Sequence, residues 1–143
     1  MPDASAPTVH VTDSPSADEL AAIGEGLAGF NEGDVGPSGR RPLAVLVRNG
    51  GELVGGLSGY TAWGWLYVQW LWIAEAQRGQ GLAPRLLNAA ESEASARDCH
   101  GAYIDTFNPQ ALHVYQKAGY TVFGMLPNFP PGRTRSFLSK SLA

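Results

Sequence analysis

A single cysteine, Cys99, stands in the whole chain. No intramolecular disulfide can form, so a reducing compartment is expected and the cytoplasm fits best. Charge is sparse as well: Asp, Glu, Lys and Arg make up only 16% of the residues, and 10 basic against 13 acidic side chains leave a net charge of −3. The basic residues are scattered, the nearest approach to a patch being the pair Arg133 and Arg135. Nucleic acid and anionic membranes both need clustered positive charge, so neither is expected as a partner. Long apolar runs are missing too. The longest, Trp63 to Ala74, is interrupted by Gly64 and Gln69 and is too short to span a bilayer as a helix. Met1 to Asp13 has acidic residues and prolines but no apolar core, unlike a signal peptide. What is present is a chain of 143 residues, 44% hydrophobic, which suits one domain over residues 1–143 with its own core and a loose tail at residues 1–7.

Local patterns divide the chain into elements. Thr8 to Thr12 alternates at period two with β-branched residues and reads as a first strand. Ser16 and Glu19 form a capping box for a helix running to about Phe30, followed by a loop from Asn31 to Arg41. Leu43 to Arg48 is a second strand, Asn49-Gly50 a hairpin turn, and Glu52 to Thr61 a third strand. Trp65 to Ile73 is a fourth, rich in aromatic residues; strict alternation puts Trp70 and Trp72 on the face of Leu66 and Val68. Pro84 to Cys99 reads as a helix closed by Gly101, and Ala102 to Phe107 as a fifth strand. Asn108 then caps a short helix with Pro109 at its first position, ended by Gly119. Tyr120 to Met125 and Ser136 to Leu142 are the last two strands. Strand-helix-strand alternation after Trp65 implies parallel pairing of the fourth and fifth strands. The expected architecture is α/β, a mixed central sheet of about seven strands flanked by helices.

Between the fourth strand and the following helix lies Arg78-Gly79-Gln80-Gly81-Leu82-Ala83. Two glycines permit tight turns and close approach of a ligand to backbone, and the helix start offers unpaired N–H groups with the positive end of its dipole. Such a site suits a pyrophosphate. A nucleoside triphosphate loop would need Gly-Lys-Ser or Gly-Lys-Thr here, and neither is present. A dinucleotide fingerprint needs a small residue where Pro84 stands, and a strand meander precedes the loop instead of a βαβ unit. A plain strand-to-helix turn remains the simpler alternative from this loop alone.

Arg78, Gly81 and Ala83 match the Gln/Arg-x-x-Gly-x-Gly/Ala pattern of the GNAT superfamily of N-acetyltransferases, and a second signature follows at family spacing as Asn108, Ala111 and Tyr115-Gln116-Lys117-Ala118-Gly119-Tyr120. The chain resembles that superfamily strongly from Trp65 to Phe123, and in element order over nearly its whole length. The resemblance implies a GNAT-like fold whose fourth and fifth strands splay apart. It also implies acetyl-coenzyme A as co-substrate, without a metal. The pyrophosphate would rest on the backbone of Gly79, Gln80, Gly81, Leu82 and Ala83 beside Arg78. The pantetheine would pair as an extra strand near Leu71, Trp72 and Ile73, with Asn108 helping to position it. Tyr115 would be the general acid toward the departing thiolate; its alternative is a core aromatic, because Ala111, Tyr115 and Ala118 share one helical face.

The resemblance further implies direct attack of an amine on the thioester, with both substrates bound together. The amine must be neutral, so a base or a water relay is expected. Glu75, at the end of the fourth strand, is the first candidate, and a surface carboxylate is the equal alternative. Asp105 is second, since a charge in a central strand needs a reason, which pairing to an Arg would also supply. His113 and His10 are weaker candidates. Relatives often carry a His where Arg133 stands, and an Arg cannot be a base at neutral pH. Arg133 and Arg135 are instead candidates for holding an acidic group of the acceptor. The expected activity is transfer of acetyl to a primary amine of a small molecule. The alternatives are a non-catalytic acyl-coenzyme A sensor and a protein-lysine or N-terminal acetyltransferase. The sequence admits a homodimer without requiring one.

Overall fold

The computed structural model describes residues 6–143, so most of the expected tail at residues 1–7 lies outside the described residues. The chain divides into two compact units, one ending at Pro37 and the other spanning Ser38–Ala143. The first unit holds helix α1, Ala17–Val35. Its capping box is formed as expected: Glu19 N–H donates to Ser16 Oγ at 3.0 Å and Ser16 N–H donates to Glu19 Oε1 at 2.8 Å. Those bonds hold the Glu19 carboxyl below its ordinary pKa. The helix continues five residues past Phe30 to Gly36, whose φ of 88° stops it. Thr8 to Thr12 is not a strand: Val9 and Val11 are 96% and 97% exposed and pair with nothing. Alternation alone cannot make a strand without a sheet edge to receive it.

The second unit is a six-stranded sheet, one strand fewer than expected. Its strands are β1 (Arg41–Asn49), β2 (Glu52–Ala62), β3 (Trp65–Ile73), β4 (Gly101–Thr106), β5 (Thr121–Pro127) and β6 (Thr134–Ser141), in spatial order β1-β2-β3-β4-β6-β5. Only β3 and β4 run parallel. The β1–β2 turn sits one residue later than Asn49-Gly50: Asn49 still pairs with Glu52, and Gly50 and Gly51 take φ of 61° and 91°. Two positive φ values in succession suit glycine better than asparagine. Helices α2 (Leu82–Ala96) and α3 (Pro109–Lys117) pack on one face, around Leu66, Val68, Ala102, Ile104 and Leu138. Gly101 does not close α2. It lies in β4, where a Cβ would meet the Trp65 ring at 2.5 Å, and α2 ends instead through Asp98 at φ 63°.

One irregularity in the sheet decides where the site lies. Ser58 pairs with Trp70 but Gly59 pairs with Val68, so Gln69 is an extra residue on β3. The bulge reverses the alternation beyond it. Leu71 and Ile73, not Trp70 and Trp72, continue the core face of Leu66 and Val68, while Trp70 and Trp72 are 68% and 52% exposed. On its other side β3 pairs with β4 only from Trp65 with Gly101 to Val68 with Ile104. The two strands therefore part at the bulge, and the expected splay is present.

Candidate active site

The gap between the splayed strands opens into a cleft of about 880 Å³. Leu71, Trp72 and Ile73 of β3 line it, as do Arg78 and Ala83 before and within α2, and Asn108, Ala111 and Tyr115 of α3. The cleft passes through the sheet. On the helix side it meets Tyr115 and Val114; on the other it meets Trp70, Asp105, Phe129 and Arg135.

The start of α2 differs from the starts of the other two helices. Asn108 Oδ1 caps α3 by accepting from Gln110 N–H and Ala111 N–H at 2.9 and 3.0 Å, and Ser16 caps α1. Gly81, the N-cap of α2, provides no side-chain cap and adopts φ 73°. The first-turn N–H groups of Leu82 and Ala83 are thus left for an anion, while Pro84 has no N–H to offer. Gly79 is likewise left-handed at φ 78°. Nothing lies within 4 Å of a Cβ built on either glycine, so conformation and ligand access, not crowding, call for glycine here. Arg78 turns back toward β3, its Nε donating to Ile73 O at 3.1 Å.

Tyr115 is 6% exposed and packs in the core. Its hydroxyl bonds to no described residue, yet it is not stranded in the interior, because no buried side-chain oxygen lacks a partner. It therefore opens into the cleft. Burial, helped by the Asp105 charge, pushes its pKa up to about 12, so it stays a phenol able to donate.

Asp105 is the polar centre of the opposite side. Its Oδ2 accepts from Arg135 Nε and Nη2 at 2.9 and 2.6 Å, and its Oδ1 accepts from the Tyr67 hydroxyl at 2.8 Å. Arg135 is further held by the rings of Phe129 and Phe137, 4.9 and 5.1 Å from its guanidinium carbon. Tyr67 stacks on Tyr103 at 4.6 Å. Burial first, then the bond to Asp105, raises the Tyr67 pKa to about 12. The sequence pointed to Asp105 as a charge in need of a partner, but Tyr67 was missed. Its signal was local: Tyr67 sits directly beside Tyr103 in the parallel register, on the face that Asp105 shares two residues on.

Other candidates fall elsewhere. Glu75 begins a short 3-10 turn, Glu75–Gln77, is exposed, and does not line the cleft. His10 and His113 are exposed and are likewise outside it. Arg133 is exposed and donates from Nη1 to Phe107 O at 3.2 Å, tying the β5–β6 loop to the start of α3. Among the described residues no cluster of three His, Cys, Asp or Glu could hold a metal, and no helix is long and apolar enough to cross a membrane.

A splayed parallel pair, an uncapped helix start behind a two-glycine loop and a phenol facing the gap define an acyl-coenzyme A-dependent transferase fold. Comparison with known proteins agrees. Residues 17–120 match the acetyltransferase (GNAT) family, and the chain belongs to that family of acetyltransferases, whose donor is acetyl-coenzyme A. It is 46% identical over 131 residues to an acetyltransferase of Agrobacterium fabrum, covering 91% of this chain and 96% of that one. It is 43% identical over 109 residues to blasticidin-S acetyltransferase of Streptomyces morookaense, covering 71% and 79%. Among solved structures, an acetyltransferase from Bacillus cereus superposes with a TM-score of 0.81 at 24% identity, covering 92% and 97%, which shows the shared fold.

Proposed function

We propose that this protein transfers acetyl from acetyl-coenzyme A to a primary amine of a small molecule by direct attack within a ternary complex. The observation that carries this reading is the Tyr115 hydroxyl, unbonded and open to the same cleft as the unpaired end of β3. The loop Gly79 to Ala83, next to Arg78, holds the pyrophosphate through backbone N–H groups. Leu71, Trp72 and Ile73 take the pantetheine in the place where β4 has left the ladder. Asn108 uses Oδ1 for its helix cap, and its amide group remains for that same arm. Such use of a vacant strand position satisfies backbone groups on both partners.

In the transfer, the amine nitrogen forms a bond to the thioester carbon as the carbon–sulfur bond breaks. The departing sulfur takes the Tyr115 proton, the new amide nitrogen loses one proton to solvent, and solvent restores Tyr115. A thiol near pKa 8.5 is readily protonated by a phenol placed beside it, and such acid catalysis gives roughly 10²–10⁴-fold. The amine must lose its first proton before attack. Asp105 is too weak a base for that: an alkylammonium near pKa 10.4 and a carboxylate near 3.9 differ by about 6 units, or about 9 kcal/mol. With Glu75 outside the cleft, water takes the proton. Blasticidin-S acetyltransferase, a relative that acts on a small molecule by its name, supports a small acceptor over a protein one.

The test is release of free thiol from acetyl-coenzyme A across a panel of small amines and lysine peptides. Thiol release with small amines is expected. Acetyl-coenzyme A binding without thiol release on any amine would make the protein a sensor, and release with peptides alone would make it a protein acetyltransferase.

A further inference from the structure

Asp105 is the sole carboxylate among the residues lining the cleft, and no His or Lys joins it there. The groups facing it are Tyr67 from β3, Arg135 from β6 and Tyr115 from α3. Arg135 spends two donors on one Asp105 oxygen and its flat faces on two phenylalanine rings. Arg133 is committed to a backbone carbonyl. The acceptor side therefore presents no unengaged cation to receive an acidic group, contrary to the expectation from sequence. Oδ1 of Asp105, by contrast, accepts only from Tyr67, and a carboxylate oxygen has room for a second donor. Around it the rim is aromatic: Trp70, Phe107 and Phe129 line the cleft and are 68%, 48% and 41% exposed. Rings with free faces beside one carboxylate favour organic cations, which are drawn to the π-system and to the negative charge together.

We propose that Asp105 is the anchor for the acceptor's amino group, and that the acceptor is a cationic amine with a flat apolar body seated against Trp70, Phe107 and Phe129. The proposal rests on the acetyltransferase reading and adds the acceptor's class to it. Arg135 and Tyr67 act as positioning residues, fixing the carboxylate so that Oδ1 faces the cleft. Asp105 receives the amine as an ammonium and keeps one N–H bond after the proton has left to water. The nitrogen lone pair is then free to point at the thioester.

A dead-end complex separates binding from turnover. With the full-length protein saturated with coenzyme A, 2-phenylethylamine and its anionic counterpart 3-phenylpropionate are titrated while tryptophan fluorescence is followed. The ammonium is expected to bind at least tenfold more tightly than the carboxylate. Asp105→Asn should erase that preference and raise the KM for 2-phenylethylamine at least tenfold, with coenzyme A affinity unchanged. Trp70→Leu, at an exposed position that no fold contact requires, should weaken the amine severalfold and decides the matter should Asp105→Asn fail to fold. Equal or tighter binding of 3-phenylpropionate, or an unchanged amine affinity in both variants, overturns the proposal. Loss of coenzyme A binding by the wild-type protein would overturn the acetyltransferase reading itself, and is read separately in the same titration.

Discussion

At Tyr115, packing and chemistry can be separated by one atom. The ring is buried among core residues, but the hydroxyl makes no bond to the described protein. Removing it in Tyr115→Phe therefore leaves no protein partner unsatisfied and keeps the ring's packing. We expect the variant to retain its melting temperature within a few degrees and to bind acetyl-coenzyme A as before, with kcat lowered at least tenfold. Steady-state rates and cofactor titration on one preparation check this; undiminished turnover would make Tyr115 a packing residue. The wild-type pH profile gives a second readout. Because burial lifts the Tyr115 pKa to about 12, the acid form persists through pH 10. The rate should rise with pH as the amine loses its proton, with no falling limb below pH 10. A fall centred near pH 8 or 9 would assign the acid to another group.

Among the elements, the bulge on β3 positions everything else. Gly59 pairs across it, and a Cβ there would collide with the Tyr67 carbonyl oxygen and crowd the Gln69 nitrogen at 3.2 Å. Backbone cannot give way as a side-chain tip can, so Gly59→Ala should cost about 3 kcal/mol or prevent folding. Denaturant unfolding measures it, and a loss under about 1 kcal/mol would show that the bulge is adaptable. The start of α2 offers a cleaner test, since space around Gly81 is open. An Asp at an N-cap is a good helix cap, so Gly81→Asp should keep the fold. Its carboxylate would nevertheless occupy the anion position and repel a pyrophosphate, so acetyl-coenzyme A should no longer raise the melting temperature. A retained thermal shift would remove the phosphate-loop assignment. Much of this element plan was legible in advance: capping residues marked α1 and α3, and Trp65–Ile73 was bounded to the residue. The bulge was not legible, because Gln69 looks like one more polar position in an alternating strand. That one extra residue moved Trp70 and Trp72 from an expected core face to the acceptor side. Thr8 to Thr12 failed for the complementary reason: a local pattern was present, and the long-range partner that makes a strand was absent.

The molecule as a whole holds several ionisable groups where their charged forms are disfavoured, and this fixes how its stability responds to alkali. Glu91 and Lys140 pair at 2.6 Å between α2 and β6, and the Tyr120 hydroxyl donates to the other Glu91 oxygen at 3.0 Å. Burial and that carboxylate push the Tyr120 pKa far upward. Tyr67, Tyr103 and Tyr115 are each raised to about 12, desolvation being the main cause in all three. In the unfolded chain these phenols ionise near pKa 10. Below pH 10 both states keep their protons and stability does not depend on them. Above it the unfolded state loses protons that the native state retains, so unfolding is favoured and stability falls as pH rises toward 12. A single group moved from 10 to 12 accounts for about 1.4 kcal/mol of loss by pH 11. For Tyr115, which is almost fully buried, that figure stands without a large discount; Tyr67 and Tyr103 are only half-buried and contribute less. Denaturant unfolding at pH 8 and pH 11 should therefore show a drop of several kcal/mol in the wild type. Tyr115→Phe, which keeps the ring and cannot ionise, should reduce the drop by about 1 kcal/mol. An identical drop in wild type and variant would mean that the Tyr115 phenol ionises as freely in the fold as in the open chain. It would then be exposed to water through the cleft and unsuited to holding a proton for the departing thiolate.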